Sequence, residues 1–114
     1  MAIIFDASDS YSFQLDGIKA GDVVKVGGFL GVAETDSLVK EDGKQYATIR
    51  FGGHAVVPLE GTPKAGDAVG VADSTADGKV TLATTGVKQL FGFVLNPAKS
   101  VSGGYTVAVV QGRI

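Results

Sequence analysis

The chain has no cysteine and no tryptophan, one histidine, one methionine and three prolines in 114 residues. Without cysteine there can be no disulfide, no zinc–thiolate site and no thiol nucleophile. Charge is also sparse: Asp, Glu, Lys and Arg make up 19% of residues, against a norm of about 25%. Ten basic residues against twelve acidic give a net charge of −2. Nucleic-acid binding rests on neutralising phosphates, so this balance points away from DNA or RNA as a partner. Apolar runs are only a handful of residues long, far short of the ~20 needed to span a bilayer, so no membrane partner is expected. The opening Met-Ala-Ile-Ile-Phe-Asp lacks the basic stretch and long apolar core of an export signal.

Glycine is what the chain has in excess, with 17 residues, about twice the usual share. That content excludes a coiled coil, and no three-residue period suggests collagen. The glycines punctuate. Asp16-Gly17, Asp42-Gly43 and Asp77-Gly78, with Gly-Gly pairs at 27–28, 52–53 and 103–104, mark tight turns that need positive φ. Between them the apolar residues alternate. Ala47, Ile49 and Phe51 share one face, as do Ala55, Val57 and Leu59, Phe91, Phe93 and Leu95, and Tyr105, Val107 and Val109. Strands are expected at 2–5, 11–15, 22–26, 29–34, 45–51, 54–59, 68–72, 79–83, 90–95 and 105–111. Only Thr35–Asp42 has room for a helical turn. Turn signals every 8–12 residues or so predict an all-β fold, a small single-domain β-barrel or β-sandwich, over 11–114 after an N-terminal arm at 1–10.

Lys19-Ala-Gly-Asp-Val-Val24 recurs as Lys64-Ala-Gly-Asp-Ala-Val69, each followed downstream by a glycine-bearing apolar strand. Gly21 and Gly66 are expected at positive-φ turn positions, with Asp22 and Asp67 bonding turn backbone ahead of a strand. Two similar turns and a true duplication both fit.

No catalytic constellation emerges. Val23–Ala33 reads like a dinucleotide loop, but Val26 stands where the first glycine should be and no helix follows. His54 falls opposite Ala55, Val57 and Leu59, on a face expected to meet solvent or a subunit, and no G-x-S-x-G elbow offers it a serine. Glu34, Asp36, Glu41 and Asp42 lack the order of a calcium loop. No cofactor or metal is therefore expected, and the chain reads as a binding or structural protein, not an enzyme. The apolar Ile3, Ile4 and Phe5 suit capping of the barrel or strand addition to a neighbouring chain, and we expect the second.

Certain motifs also occur in a definite order. Ile18-Lys-Ala-Gly-Asp-Val-Val-Lys-Val-Gly27 precedes Phe29-Leu-Gly-Val-Ala-Glu-Thr-Asp36. Then come the strands Tyr46–Phe51 and His54–Leu59, a second Ala65-Gly-Asp-Ala-Val69, Leu90-Phe-Gly-Phe-Val-Leu95 and Tyr105-Thr-Val-Ala-Val-Val110. Over about residues 11–112 this order resembles the small capsid cement, or head decoration, proteins of tailed bacteriophages. It departs at Phe91-Gly-Phe-Val94, where something closer to I-G-V-A belongs. The resemblance implies a β-rich homotrimer on the capsid exterior, made in the host bacterial cytoplasm. It would bridge major capsid proteins and so stabilise the expanded head, with no catalytic residues. The alternatives are another virion or tail β-domain accessory protein and, from a different class, a small β-barrel ligand-binding module or enzyme.

Overall fold

In a computed structural model, residues 10–60, 62–72, 75–97 and 104–109 are described. All regular structure among them is β: β1 (Ser10–Gln14), β2 (Val23–Val26), β3 (Phe29–Ala33), β4 (Leu38–Val39), β5 (Gln45–Arg50), β6 (Gly53–Glu60), β7 (Ala68–Val71), β8 (Gly78–Lys79), β9 (Leu82–Ala83), β10 (Gln89–Asn96) and β11 (Gly104–Val109). They form two sheets. One is six-stranded, in the order β1-β5-β3-β2-β8, with β4 beside β3 on the same edge of β5. The other closes into a small barrel, β10-β11-β6-β9-β7, in which only β6–β9 is parallel.

The β2–β3 hairpin lies between the two. Its two-residue turn, Gly27-Gly28, has positive φ at the first position only (57°), the pattern of a type II′ turn, whose twist matches that of the flanking strands. Because side chains alternate across a strand, neighbouring residues of the hairpin enter different cores. Val23, Leu30 and Val32 join the barrel interior of Val57, Leu59, Val69, Val71, Leu82, Phe91 and Val94. Val24 and Ala33 join Ile18, Ala47, Ile49 and Phe51 on the opposite side. A hairpin buried on both faces must be apolar at successive positions, which Val23-Val24 and Val32-Ala33 satisfy.

Glycine is required where backbones crowd. A Cβ on Gly31 would lie 2.5 Å from Ile49 Cγ2 and 2.7 Å from the Arg50 carbonyl oxygen, so β3 could not approach β5. A Cβ on Gly70 would lie 2.0 Å from the Gln89 carbonyl oxygen.

Three details depart from the sequence expectations. The Thr35–Asp42 segment holds β4 and a tight turn instead of a helical turn, because Leu38 and Val39 pair with Tyr46 and Gln45. The expected 79–83 strand is two strands in different sheets: β8 pairs with β2, and β9 with β6 and β7. Phe91 does not share a face with Phe93 and Leu95. The ladder shifts register between Leu90 and Gly92, so Phe91 is buried while Phe93 and Leu95 point outward. The expected 2–5 strand lies outside the described residues.

Candidate interaction surface

The repeated Lys-Ala-Gly-Asp segments adopt one structure twice. In the first, the Lys19 N–H donates to Asp22 Oδ2 (3.0 Å) and the Asp22 N–H returns a bond to the Lys19 carbonyl (3.0 Å). Gly21, at φ 93°, donates its N–H to the Ala33 carbonyl (2.8 Å), and the Ala33 N–H donates to the Asp22 carbonyl (2.8 Å). In the second, Lys64 donates to Asp67 Oδ2 (2.9 Å) and Asp67 to the Lys64 carbonyl (3.0 Å). Gly66, at φ 90°, donates to the Val94 carbonyl (2.8 Å), and Val94 to the Asp67 carbonyl (3.0 Å). The strands that follow keep the same register. Val23 faces Val32 and Val24 faces Gly31, while Ala68 faces Phe93 and Val69 faces Gly92. Gly21, Asp22, Gly66 and Asp67 thus hold the turn positions expected of them, and each turn locks onto the far end of its partner strand.

The first copy has extra supports. Ala20 N–H donates to Asp36 Oδ1 (2.8 Å), Ile18 N–H to Ser37 Oγ (2.9 Å), and Ser37 Oγ to the Leu15 carbonyl (2.6 Å). Thr35 Oγ1 accepts from the Thr48 N–H (3.1 Å). Glu-Thr-Asp-Ser after β3 therefore clamps the turn before β2.

The acidic residues are dispersed into such local bonds. Glu34 accepts from Ser10 Oγ (2.8 Å) and faces Arg50 Nε at 4.0 Å. Asp42 accepts from Tyr46 Oη (2.7 Å) and the Lys44 N–H (2.9 Å). The tyrosine hydroxyl, then the Lys44 amide, hold the Asp42 carboxyl below its ordinary range, and the same hydroxyl bond pushes the Tyr46 phenol up. Among the described residues no group of His, Asp and Glu could hold a metal ion.

Asp77, just before β8, anchors that strand to β2 and to the β2–β3 turn. Its Oδ1 accepts from Lys25 Nζ and from the Gly27 N–H, both at 3.0 Å, and these two bonds, the lysine's first, hold its carboxyl low. Lys79 Nζ faces Asp22 Oδ1 at 3.5 Å, and Gln89 Nε2 donates to the Gly27 carbonyl (3.1 Å). At the other crossing, the Arg50 guanidinium donates to the carbonyls of Gly52 and His54, fixing the corner from β5 into β6.

Two apolar surfaces result. On the first sheet, Tyr11, Phe13, Phe29 and Phe51 form a ring cluster with centroids 5.2–6.3 Å apart, edge-on between Phe13 and Phe51, with Tyr11 and Phe29 reaching solvent. The spacing of Tyr11 and Phe13 two apart on one strand signals this cluster, but its completion by Phe29 and Phe51 needs the tertiary fold. On the barrel, His54, Val56 and Pro58 of β6 point outward, as the alternation with Ala55, Val57 and Leu59 requires, and Phe93 and Leu95 of β10 do the same two strands away. Ile3, Ile4 and Phe5 lie outside the described residues.

Comparison with known proteins returned no match: not to any family model, curated protein or solved structure.

Proposed function

We propose that this chain is a head decoration protein of a tailed bacteriophage, a structural virion protein without catalytic chemistry. Three copies assemble on the outer surface of the expanded head and bridge neighbouring major capsid proteins. One observation carries this reading beyond the sequence resemblance. The motifs whose order makes the resemblance are each other's partners: the first Ala-Gly-Asp turn closes on Phe29–Ala33, the second on the strand containing Phe91–Val94.

The mechanism is interfacial. A trimer presents one modest contact three times, and once the first has formed the others benefit from a raised effective concentration. Packaged DNA pushes capsomers apart, and a plug fixed to several of them opposes that separation. The low-charge, slightly acidic composition suits a protein contact better than a nucleic acid. The arm Ile3, Ile4 and Phe5 contributes by strand addition to the capsid or to a neighbouring copy.

Co-sedimentation with undecorated, expanded capsids is the test, with binding at a stoichiometry of threes expected. Failure to bind any such shell, or a strictly monomeric state at high concentration, would overturn the reading. Deleting residues 2–9 is expected to weaken shell binding, and wild-type affinity after that deletion would remove the arm from the interface.

A further inference from the structure

We propose that Asp16-Gly17 is a modification site, at which the folded chain converts spontaneously to isoaspartate several-fold faster than at its other two Asp-Gly pairs. This reactivity belongs to the single chain and does not depend on assembly. The Gly17 backbone nitrogen attacks Cγ of the neutral Asp16 carboxyl group. The N–Cγ bond forms, the Cγ–OH bond breaks, and the hydroxyl leaves with the amide proton as water, closing a five-membered succinimide. Solvent water then opens the ring. Cleavage of the N–Cγ bond restores aspartate, whereas cleavage between the nitrogen and the main-chain carbonyl carbon leaves the chain running through Cβ and Cγ. Glycine after the aspartate permits the attack because no side chain shields the nitrogen. A Cβ on Gly17, Gly43 or Gly78 would meet nothing within 4 Å.

Asp16, Asp42 and Asp77 are all exposed, so access to solvent does not separate them. What holds the carboxylate does. Asp42 accepts from Tyr46 Oη (2.7 Å) and the Lys44 N–H (2.9 Å), and Asp77 Oδ1 accepts from Lys25 Nζ and the Gly27 N–H (both 3.0 Å). Among the described residues the Asp16 carboxylate makes no hydrogen bond or ion pair. A carboxyl group pinned by two donors cannot swing its carbon over the next nitrogen, and intramolecular attack depends on that alignment. The same donors favour the ionised form of Asp42 and Asp77, which has no hydroxyl to lose. The nitrogens differ as well. The Gly43 N–H is bonded to the Lys40 carbonyl (2.9 Å), and Gly78 lies in the β8–β2 ladder. The Gly17 N–H donates only to a side chain, Gln45 Oε1 (3.0 Å), which can turn away. The product strains the fold, because its extra main-chain carbon falls between two fixed residues. Leu15 is bonded to the Gln45 carbonyl and to Ser37 Oγ, and buried Ile18 is bonded to the same Ser37 Oγ.

Peptide mapping of the aged full chain tests this. Cleavage after lysine puts each pair in its own peptide, 1–19, 41–44 and 65–79. Mass spectrometry with fragmentation specific for the added main-chain carbon then gives three rates from one sample. In the folded protein isoaspartate is expected at Asp16 several-fold ahead of Asp42 and Asp77, and in concentrated urea the three rates should converge. Tyr46→Phe should raise the rate at Asp42 alone, and Lys25→Met the rate at Asp77 alone. Asp16→Glu, which would need a six-membered ring, should stop the reaction at that position. Equal rates in the folded chain, a faster rate at Asp42 or Asp77, or no isoaspartate at Asp16 overturns the site. The same order of rates persisting in urea would overturn the part assigned to the fold.

Discussion

Replacing Gly21 or Gly66 by alanine isolates what the twin turns contribute. The two sit at φ 93° and 90°, and a Cβ built on either meets nothing within 4 Å. Sterics with neighbours drop out, and the cost is that of holding an L-residue in a conformation it rarely adopts. Such positions cost of the order of 1–3 kcal/mol. Alanine returns about 0.4–1 kcal/mol by restricting the unfolded chain. Each substitution should therefore destabilise by about 1–2 kcal/mol. At ~2.1 cal/mol/K per residue, the unfolding entropy of a chain this long is ~0.24 kcal/mol/K, so Tm should fall by roughly 4–8 °C. Gly28→Ala is the control: its φ lies outside the left-handed region and its Cβ is equally unobstructed, so it should be neutral or stabilising by up to about 1 kcal/mol. With no tryptophan available, urea titrations followed by far-UV circular dichroism and tyrosine fluorescence, at one fixed protein concentration, supply the numbers. The two turns serve different sheets, so the double variant should be additive within about 0.5 kcal/mol. If one alanine were silent while the other cost 2 kcal/mol or so, the structural equivalence of the two turns would be refuted.

Further outcomes are expected from other sites. Gly70→Ala must displace the Gln89 carbonyl, backbone that cannot step aside cheaply, so it should cost about 3 kcal/mol or more, well beyond the Gly21 effect in the same titration. Ile49→Ala empties part of the smaller core and should cost about 2–5 kcal/mol, read as a lower urea midpoint. Asp77 and Asp42 have carboxyl groups held low in the fold, so their contribution is present above the ordinary value of 3.8 and disappears as pH falls through the lowered one. Asp77→Asn should accordingly flatten the stability loss seen below about pH 4, and an unchanged acid limb would contradict the Lys25–Asp77 bond. Tyr46 has the opposite sign: its raised value means stability is intact below pH 10.0 and declines as pH climbs through the raised value. Ultraviolet titration should show a late-ionising phenol that vanishes in Tyr46→Phe.

Much of this architecture is legible in the residues, and the failures have a common cause. Alternation locates β5 and β6 closely and assigns their inward and outward faces correctly, because Ala47 and Ile49, and Ala55 and Val57, lie in uninterrupted ladders. It failed at β10, where an extra residue in the ladder reverses the face between Phe91 and Phe93, a change invisible to a period-two pattern. It also failed at 78–83, where one short apolar run serves two sheets, since a sequence pattern carries no record of which neighbour a strand meets. The twin turns are legible for the converse reason: the two bonds that shape each turn are local, between residues three apart, and depend on Gly and Asp at fixed places. The outward apolar face was only partly legible. His54 was placed there by alternation, but Phe93 and Leu95 join it through the bulge.

The chain passes from the first sheet into the barrel after β5, returns through β8 to the edge of β2, and then completes the barrel with β9, β10 and β11. This threading has a consequence for biosynthesis. As the polypeptide lengthens from its N-terminus, the outer edge of β2 gains no partner until Lys79 has emerged, and the barrel cannot close before β11 does. The Val23 side of the hairpin likewise stays bare until Leu82, Phe91 and Val94 arrive to bury it. The first sheet therefore has all its strands by Lys79, whereas the barrel does not. The two faces of the hairpin are accordingly buried in succession, the Val24 side against residues 18–51 and the Val23 side only as the later barrel strands arrive.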